Sequence, residues 1–285
     1  MPYIMYLTFN AMNKLHTLTS LIIIFSLTGC GLFETEADKT KNWSEQKFYS
    51  EASEALKDGD YDQATKYYEA LEARYPFGRY AMQAQLDIAY ANYKSGESEI
   101  AIEAAERFIK LHPQDPHVDY AYYLKGLANY NRKFGFLDRY LPTDPSQRDP
   151  GSVRDAFQNF SELVTRFPNS PYAEDAKQRM LYLRDNIAKN ELHAARYYLR
   201  RSAYLAAANR AKYIIENYPQ TTVTREALLI MIESYRKLKL HTLEIDANRV
   251  LELNDAKGTF VSNITEPANA TWGDWIWDAL ELDKN

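Results

Sequence analysis

Small and apolar residues recur along this chain at helical offsets, and one phrase closes four of the runs: EARYP at Pro76, IKLHP at Pro113, VTRFP at Pro168 and IENYP at Pro219. Twelve residues before these prolines stand Ala64, Ala101, Ala156 and Ala207, and eight residues after them stand Ala84, Ala121, Ala176 and Ala227. Leu71, Phe108, Leu163 and Ile214 lie five before, and Tyr68, Ala105, Phe160 and Ala211 eight before. Such offsets put the residues on one helical face, where alanine lets a neighbouring helix approach closely. The proline blocks continuation, and the residue ahead of it is pushed out of the helical region. Each phrase therefore reads as the second helix of a pair and its stop. First helices are readable too. In NWSEQKFYSEASEALKDGD, Asn42 and Glu45 predict a capping box, Phe48, Ala52 and Ala55 a buried face, Gly59 a turn, and Asp60 the cap of the next helix. Ala52, Ala89 and Ala195 each lie twelve residues before the marker alanine that follows.

This pattern resembles tetratricopeptide repeats, which implies helix-turn-helix units with small residues at fixed places. The expected fold is all-α: an α-solenoid of about five helix pairs over residues 42–254. The proline spacings of 37, 55 and 51 residues exceed a 34-residue period, so they require insertions between helices. One is the Pro-rich segment 132–151, which separates N-terminal repeats 42–131 from C-terminal repeats 152–254. The other is absorbed by residues 171–201, as one long helix or two joined near Asn190. In the fifth unit, HTLEIDANRVLELND, Leu243, Ala247 and Val250 keep the face, but Asp255 replaces the proline. Terminal repeats are expected to be atypical, because the last has no neighbour to cover it.

Ahead of the repeats, Lys14 is followed by an apolar run from Leu18 to Leu27 and then by Thr28, Gly29 and the lone cysteine, Cys30. That order is the order of a secretory signal, and the run is about half of the ~20 residues that cross a bilayer. LTGC resembles the lipobox of bacterial lipoproteins. The resemblance implies a signal peptide over 1–29, a covalent lipid on Cys30, and a lipidated tether over 30–41. Gly31 in place of Asp implies export to the outer membrane. Met12 is an alternative start, since MNKLHTLTS makes the better signal head. Several acyl chains hold a protein stably at a membrane surface.

Residues 30–285 hold 33 basic against 39 acidic side chains, which excludes a nucleic-acid reading. With Cys30 acylated no thiol remains for disulfides or cysteine metal sites. Tyrosine is abundant at 23 and glycine scarce at 10. No nucleophile elbow or Gly-rich phosphate loop is present, so no catalytic residue, metal or cofactor is assigned. His112 and His117 straddle PQDP, but His112 occupies the slot of Tyr75, Phe167 and Tyr218 and reads as a packing residue.

A lipobox followed by these repeats, with YDQATKYYEALEARYPFG, the QRDP insert leading into AFQNFSELVTRFPNSPYAEDA, and NRAKYIIENYP, resembles the BamD (ComL) family, lipoproteins of the outer-membrane β-barrel assembly machine. The resemblance spans roughly Cys30 to Asn254. It implies a non-enzymatic subunit on the periplasmic face of the outer membrane that binds unfolded outer-membrane proteins, docks on the POTRA domains of the barrel subunit, and holds accessory lipoproteins. The alternatives are a scaffold lipoprotein for peptidoglycan enzymes and an envelope enzyme with an unrecognised site.

Two surfaces are candidates for those contacts. Residues 189–212 carry Lys189, Arg196, Arg200, Arg201, Arg210 and Lys212 against Glu191 alone, interleaved with Tyr197, Tyr198 and Tyr204. Arginine with aromatic neighbours is the composition of interface anchors. Arg210, Arg196, Arg200 and Tyr197 are therefore the expected partner-binding residues; a solvated charged face is the other reading. For Arg210 the rival is a strut bonded to an acid of the adjacent helix. Tyr90, Tyr93, Tyr120, Tyr122, Tyr123 and Tyr130 exceed what core filling requires, so Tyr90, Tyr93, Tyr122 and Tyr123 are candidate substrate contacts, with inter-helix packing the alternative. In the acidic tail, 255–285, WGDWIWDALE gathers three of the four tryptophans. It admits an amphipathic helix docked on the body or a partner, or an ordered strand.

Overall fold

The structure is a computed structural model and describes residues 40–132, 150–265 and 267. Cys30 and its tether, most of the insert and the tail tryptophans lie outside the described residues. Those residues form ten helices: α1 (Glu45–Lys57), α2 (Tyr61–Arg74), α3 (Ala81–Ser95), α4 (Ser98–Leu111), α5 (Val118–Asn131), α6 (Pro150–Arg166), α7 (Ala173–Arg200), α8 (Tyr204–Asn217), α9 (Thr224–Lys237) and α10 (His241–Lys257). No strand occurs among the described residues. The chain divides into two compact units, one ending at Phe48 and one beginning at Tyr49.

In the first unit the Trp43 ring meets Phe48 edge-on at 5.2 Å. The cap of α1 differs from the expected Asn42 box: the Lys47 amide donates to Ser44 Oγ at 3.3 Å. Helix α1 begins two residues later than that box would place it.

In the second unit, each helix from α2 to α9 packs against the next, and the first helices of neighbouring pairs also touch, α3 with α5 and α7 with α9. The marker alanines are why. Ala52, Ala64, Ala84, Ala89, Ala101, Ala121, Ala156, Ala176, Ala195, Ala207 and Ala227 are all fully buried. Tyr68, Ala105, Phe160 and Ala211 fill the face beside them, with Leu71, Phe108, Leu163 and Ile214 one turn on. On α1 the buried face continues through Leu56, with Ala55 only half-buried. The closest approach is between α5 and α6, where a Cβ on Gly126 would come within 2.5 Å of the Phe160 ring.

Two kinds of turn alternate. After α2, α4 and α8 the residue before proline leaves the helix in one conformation: Tyr75 (φ −128°, ψ 57°), His112 (−129°, 56°) and Tyr218 (−128°, 48°). Within pairs the helix ends in a left-handed residue whose successor bonds back five residues. Asp60 N donates to Ala55 O, Glu97 N to Asn92 O, Ala203 N to Tyr198 O and Leu240 N to Tyr235 O. Glycine takes the left-handed place at Gly59 and Gly96, but Ser202 and Lys239 adopt it at φ 59°. Asp60 then caps α2 as expected, accepting from Gln63 N at 3.1 Å.

Residues 171–201 resolve into one helix, α7, of 28 residues, which packs on α6, α8 and α9. Helix α6 starts at Pro150, inside the expected insert, and α10 runs through Asp255 to Lys257, past the expected boundary at 254.

Candidate interaction surfaces

The N-terminal tyrosines belong mainly to the interior, which corrects the surface reading. Tyr90, Tyr122 and Tyr123 are buried, as are Tyr120 and Tyr130, and Tyr93 is half-buried. Two of them, Tyr123 and Tyr130, meet a buried ion pair carried by α7. Arg179 Nε donates to Asp175 Oδ2 at 2.6 Å, and Tyr123 Oη donates to the same oxygen at 2.7 Å. The Arg179 guanidinium also lies 5.1 Å from the Tyr130 ring centre. Nearby, Asn131 Nδ2 donates to Tyr93 Oη at 2.7 Å. Burial raises the Tyr123 hydroxyl far above its usual range, so it stays a neutral donor. Asp175 and Arg179 escaped sequence reasoning because their tyrosine partners lie about fifty residues upstream.

A second buried acid sits deeper. Asp87 on α3 is almost wholly inaccessible, and Gln83 Nε2 donates to its Oδ1 at 2.9 Å. Its other oxygen lies near the Tyr68 hydroxyl without a well-formed bond. Burial pushes this carboxyl up to about 7, against weaker opposing hydrogen bonds from Gln83, Tyr68 and Tyr49. Beside it opens a cavity of about 310 Å³, whose lining includes Tyr49, Arg79, Tyr80, Gln83, Phe108 and His117. Phe77, in the α2–α3 turn, is fully exposed. His112 packs as expected, its ring 5.0 Å from Phe108 and its Nε2 3.0 Å from Gln85 Oε1.

The C-terminal basic patch is mostly compensated in three dimensions. Arg196 forms a two-pronged pair with Glu226 at 2.6 Å on each arm. Arg210 Nη1 donates to Glu191 Oε2 at 2.8 Å, joining α8 to α7; this is the strut geometry, although half of the Arg210 side chain still faces solvent. Lys189 pairs with Asp185 and Lys212 with Glu216. The acids come from 4 to 30 residues away, so the linear window around the patch showed few of them. What remains uncompensated is narrower: neither Arg200 nor Arg201 has an acidic partner among the described residues. Arg201 lies over the exposed Tyr197 ring at 5.6 Å, and Leu205 and Tyr213 on α8 are exposed as well. Of the expected partner-binding residues, Arg200 and Tyr197 are thus on open surface, while Arg196 and Arg210 are tied to neighbouring helices.

No group of acids, histidines or cysteines suited to a metal occurs among the described residues, and no helix among them is long and apolar enough to cross a membrane.

Comparison with known proteins bears on the family of the whole array. The family model YfiO, described as outer membrane lipoprotein, matches residues 41–251. Outer membrane protein assembly factor BamD of Neisseria gonorrhoeae is 46% identical over 250 residues, covering 87% of this chain and 94% of the relative. BamD of Vibrio cholerae is 37% identical over 85% of this chain and 99% of the relative, and that of Pasteurella multocida 35% identical over 90% and 97%. With the repeat array matched from its first helix to its last, the chain belongs to the BamD family of outer membrane lipoproteins.

Proposed function

We propose that this protein is a non-enzymatic lipoprotein subunit of the machinery that assembles outer-membrane β-barrel proteins. The observation that carries the reading is the 46% identity over 250 residues to an outer membrane protein assembly factor. In this reading Cys30 carries the lipid that holds the chain on the periplasmic face of the outer membrane. The C-terminal repeats dock on the POTRA domains of the barrel subunit through the surface around Arg200, Arg201 and Tyr197, with Arg196 and Arg210 framing it. The N-terminal repeats receive unfolded outer-membrane proteins. The buried tyrosines set the shape of that region, and the aromatic-walled cavity beside Tyr49 and Tyr80 suits extended apolar segments. Accessory lipoproteins bind the remaining faces.

The test is a crosslinked pull-down from membranes combined with depletion. The expected result is capture of a POTRA-containing barrel protein and loss of porins on depletion. Capture of peptidoglycan synthases with unchanged porin levels overturns it. Mass spectrometry is expected to find an acylated peptide beginning at Cys30; an intact signal sequence overturns the anchor.

A further inference from the structure

The last helix leaves one flank uncovered, and the chain that leaves it runs over the adjoining groove. Leu243, Val250 and Leu253 share that flank of α10, each more than two-fifths exposed. The flank borders a cavity of about 230 Å³, lined among others by Ile215, Pro219, Leu228, Val250 and Phe260. Gly258, left-handed at φ 61°, ends the helix, and Thr259 N bonds back to Asn254 O at 3.1 Å. That turn sends Thr259, Phe260 and Val261 back onto the groove as part of its wall.

Downstream, Trp272, Trp275, Ile276, Ala279 and Leu280 recur at the offsets of one helical face, with Asp274, Asp278 and Glu281 on the other. Ten residues, or eleven Cα-to-Cα steps, lie between Val261 and Trp272. That stretch spans up to about 36 Å when extended, more than the ~25 Å length of α10. The family match ends at residue 251, ahead of this tail.

We infer that residues 272–281 dock in cis on the Leu243–Val250–Leu253 flank of α10 as the terminal cap of the array. The apolar face covers the flank, and the acids face water. Solenoids need such a cap, because an open last repeat exposes what a neighbour would bury.

The experiment uses the full chain with Trp43→Phe, so that the three tail tryptophans are its only indoles. The expected result is blue-shifted emission and acrylamide quenching several-fold weaker than that of a free peptide of residues 268–285. Val250→Asp with Leu253→Asp is expected to bring both values to those of the peptide, while Ile245→Asp, on the opposite side of α10, leaves them unchanged. Ile276→Asp, which leaves the repeats untouched, must give the same release, so a misfolded α10 variant cannot decide the matter alone. Peptide-like quenching in the parent chain, or release variants without effect, overturns the proposal. So does protection that depends on protein concentration, which assigns the flank to a second copy, or protection that arises only on adding phosphatidylcholine vesicles, which assigns the tail to a lipid surface.

Discussion

The two halves of the array join their repeats with the same kinds of group in different proportion, buried tyrosine contacts being concentrated in the N-terminal half. Between the first and fourth pairs the links include desolvated ones, Tyr123 and Arg179 meeting on Asp175 and Asp87 sealed beneath Tyr68, beside exposed pairs such as Arg107 with Glu72 and Arg132 with Glu99. From the fourth pair onward exposed ion pairs predominate, Arg196 with Glu226 between the fourth and fifth pairs and Arg225 with Asp255 and Arg236 with Glu244 within the fifth, beside one buried link from Thr222 to Asp185. Exposed pairs contribute little to stability and are screened by salt, whereas a buried charge stripped of its partner is costly. Added salt should therefore loosen the C-terminal half more than the N-terminal half, where buried tyrosine contacts back up the surface pairs.

The sharpest way to break this contrast is to remove a buried partner. Arg179→Met should lower stability by about 3–5 kcal/mol by stranding Asp175, read as a drop in the thermal or urea midpoint. Gly126→Ala ranks next. Its Cβ would strike the Phe160 ring, and the resulting overpacking of about 1–3 kcal/mol should outweigh the gain of roughly 1 kcal/mol in helix propensity. Exchanging Arg196 and Glu226 for alanine together and singly should return a coupling of at most about 1 kcal/mol that shrinks with added salt. The smallest change has the opposite sign: Lys239→Gly relieves a left-handed lysine and should raise stability by a few tenths to about 1 kcal/mol.

Asp87 sharpens the comparison by pH. Its carboxyl is held up to about 7 in the fold and titrates near 3.8 when unfolded, so the folded state keeps a proton that the unfolded chain releases. Stability from this group is fully present below about pH 4 and is lost as pH rises to about 7. Asp87→Asn should remove that decline. Melting curves of the two proteins should diverge between these values, the variant becoming relatively more stable, and run parallel above them.

How much of this was legible in the sequence follows from the range of each cause. The alanine markers and pre-proline stops are local and repeated, and every one of them is where the spacing put it. Gly59 announced its turn because glycine favours the left-handed region, whereas Ser202 and Lys239 make the same turn without that signal. The cap of α1 passed to Ser44 because a capping pattern at Asn42 and a serine two residues on compete within one turn. The surface assignments failed over distance. Tyr123 and Tyr130, counted as surplus, are occupied by Asp175 and Arg179 from a helix beyond the insert, and Arg196 and Arg210 of the basic patch are met by acids on neighbouring helices. What the linear chain shows as excess is often half of a pair.

Helix α7 spans what would otherwise be a boundary between repeats, touching α6, α8 and α9 along its 28 residues. An array of short pairs can unzip one unit at a time, since each unit depends only on its neighbours. Here the same helix carries Asp175 and Arg179 at one end and Arg196 at the other, so loosening either end disturbs contacts of both halves. The chain should open as two large cooperative blocks hinged on one splint, and amide exchange in the middle of α7 should be among the slowest in the protein.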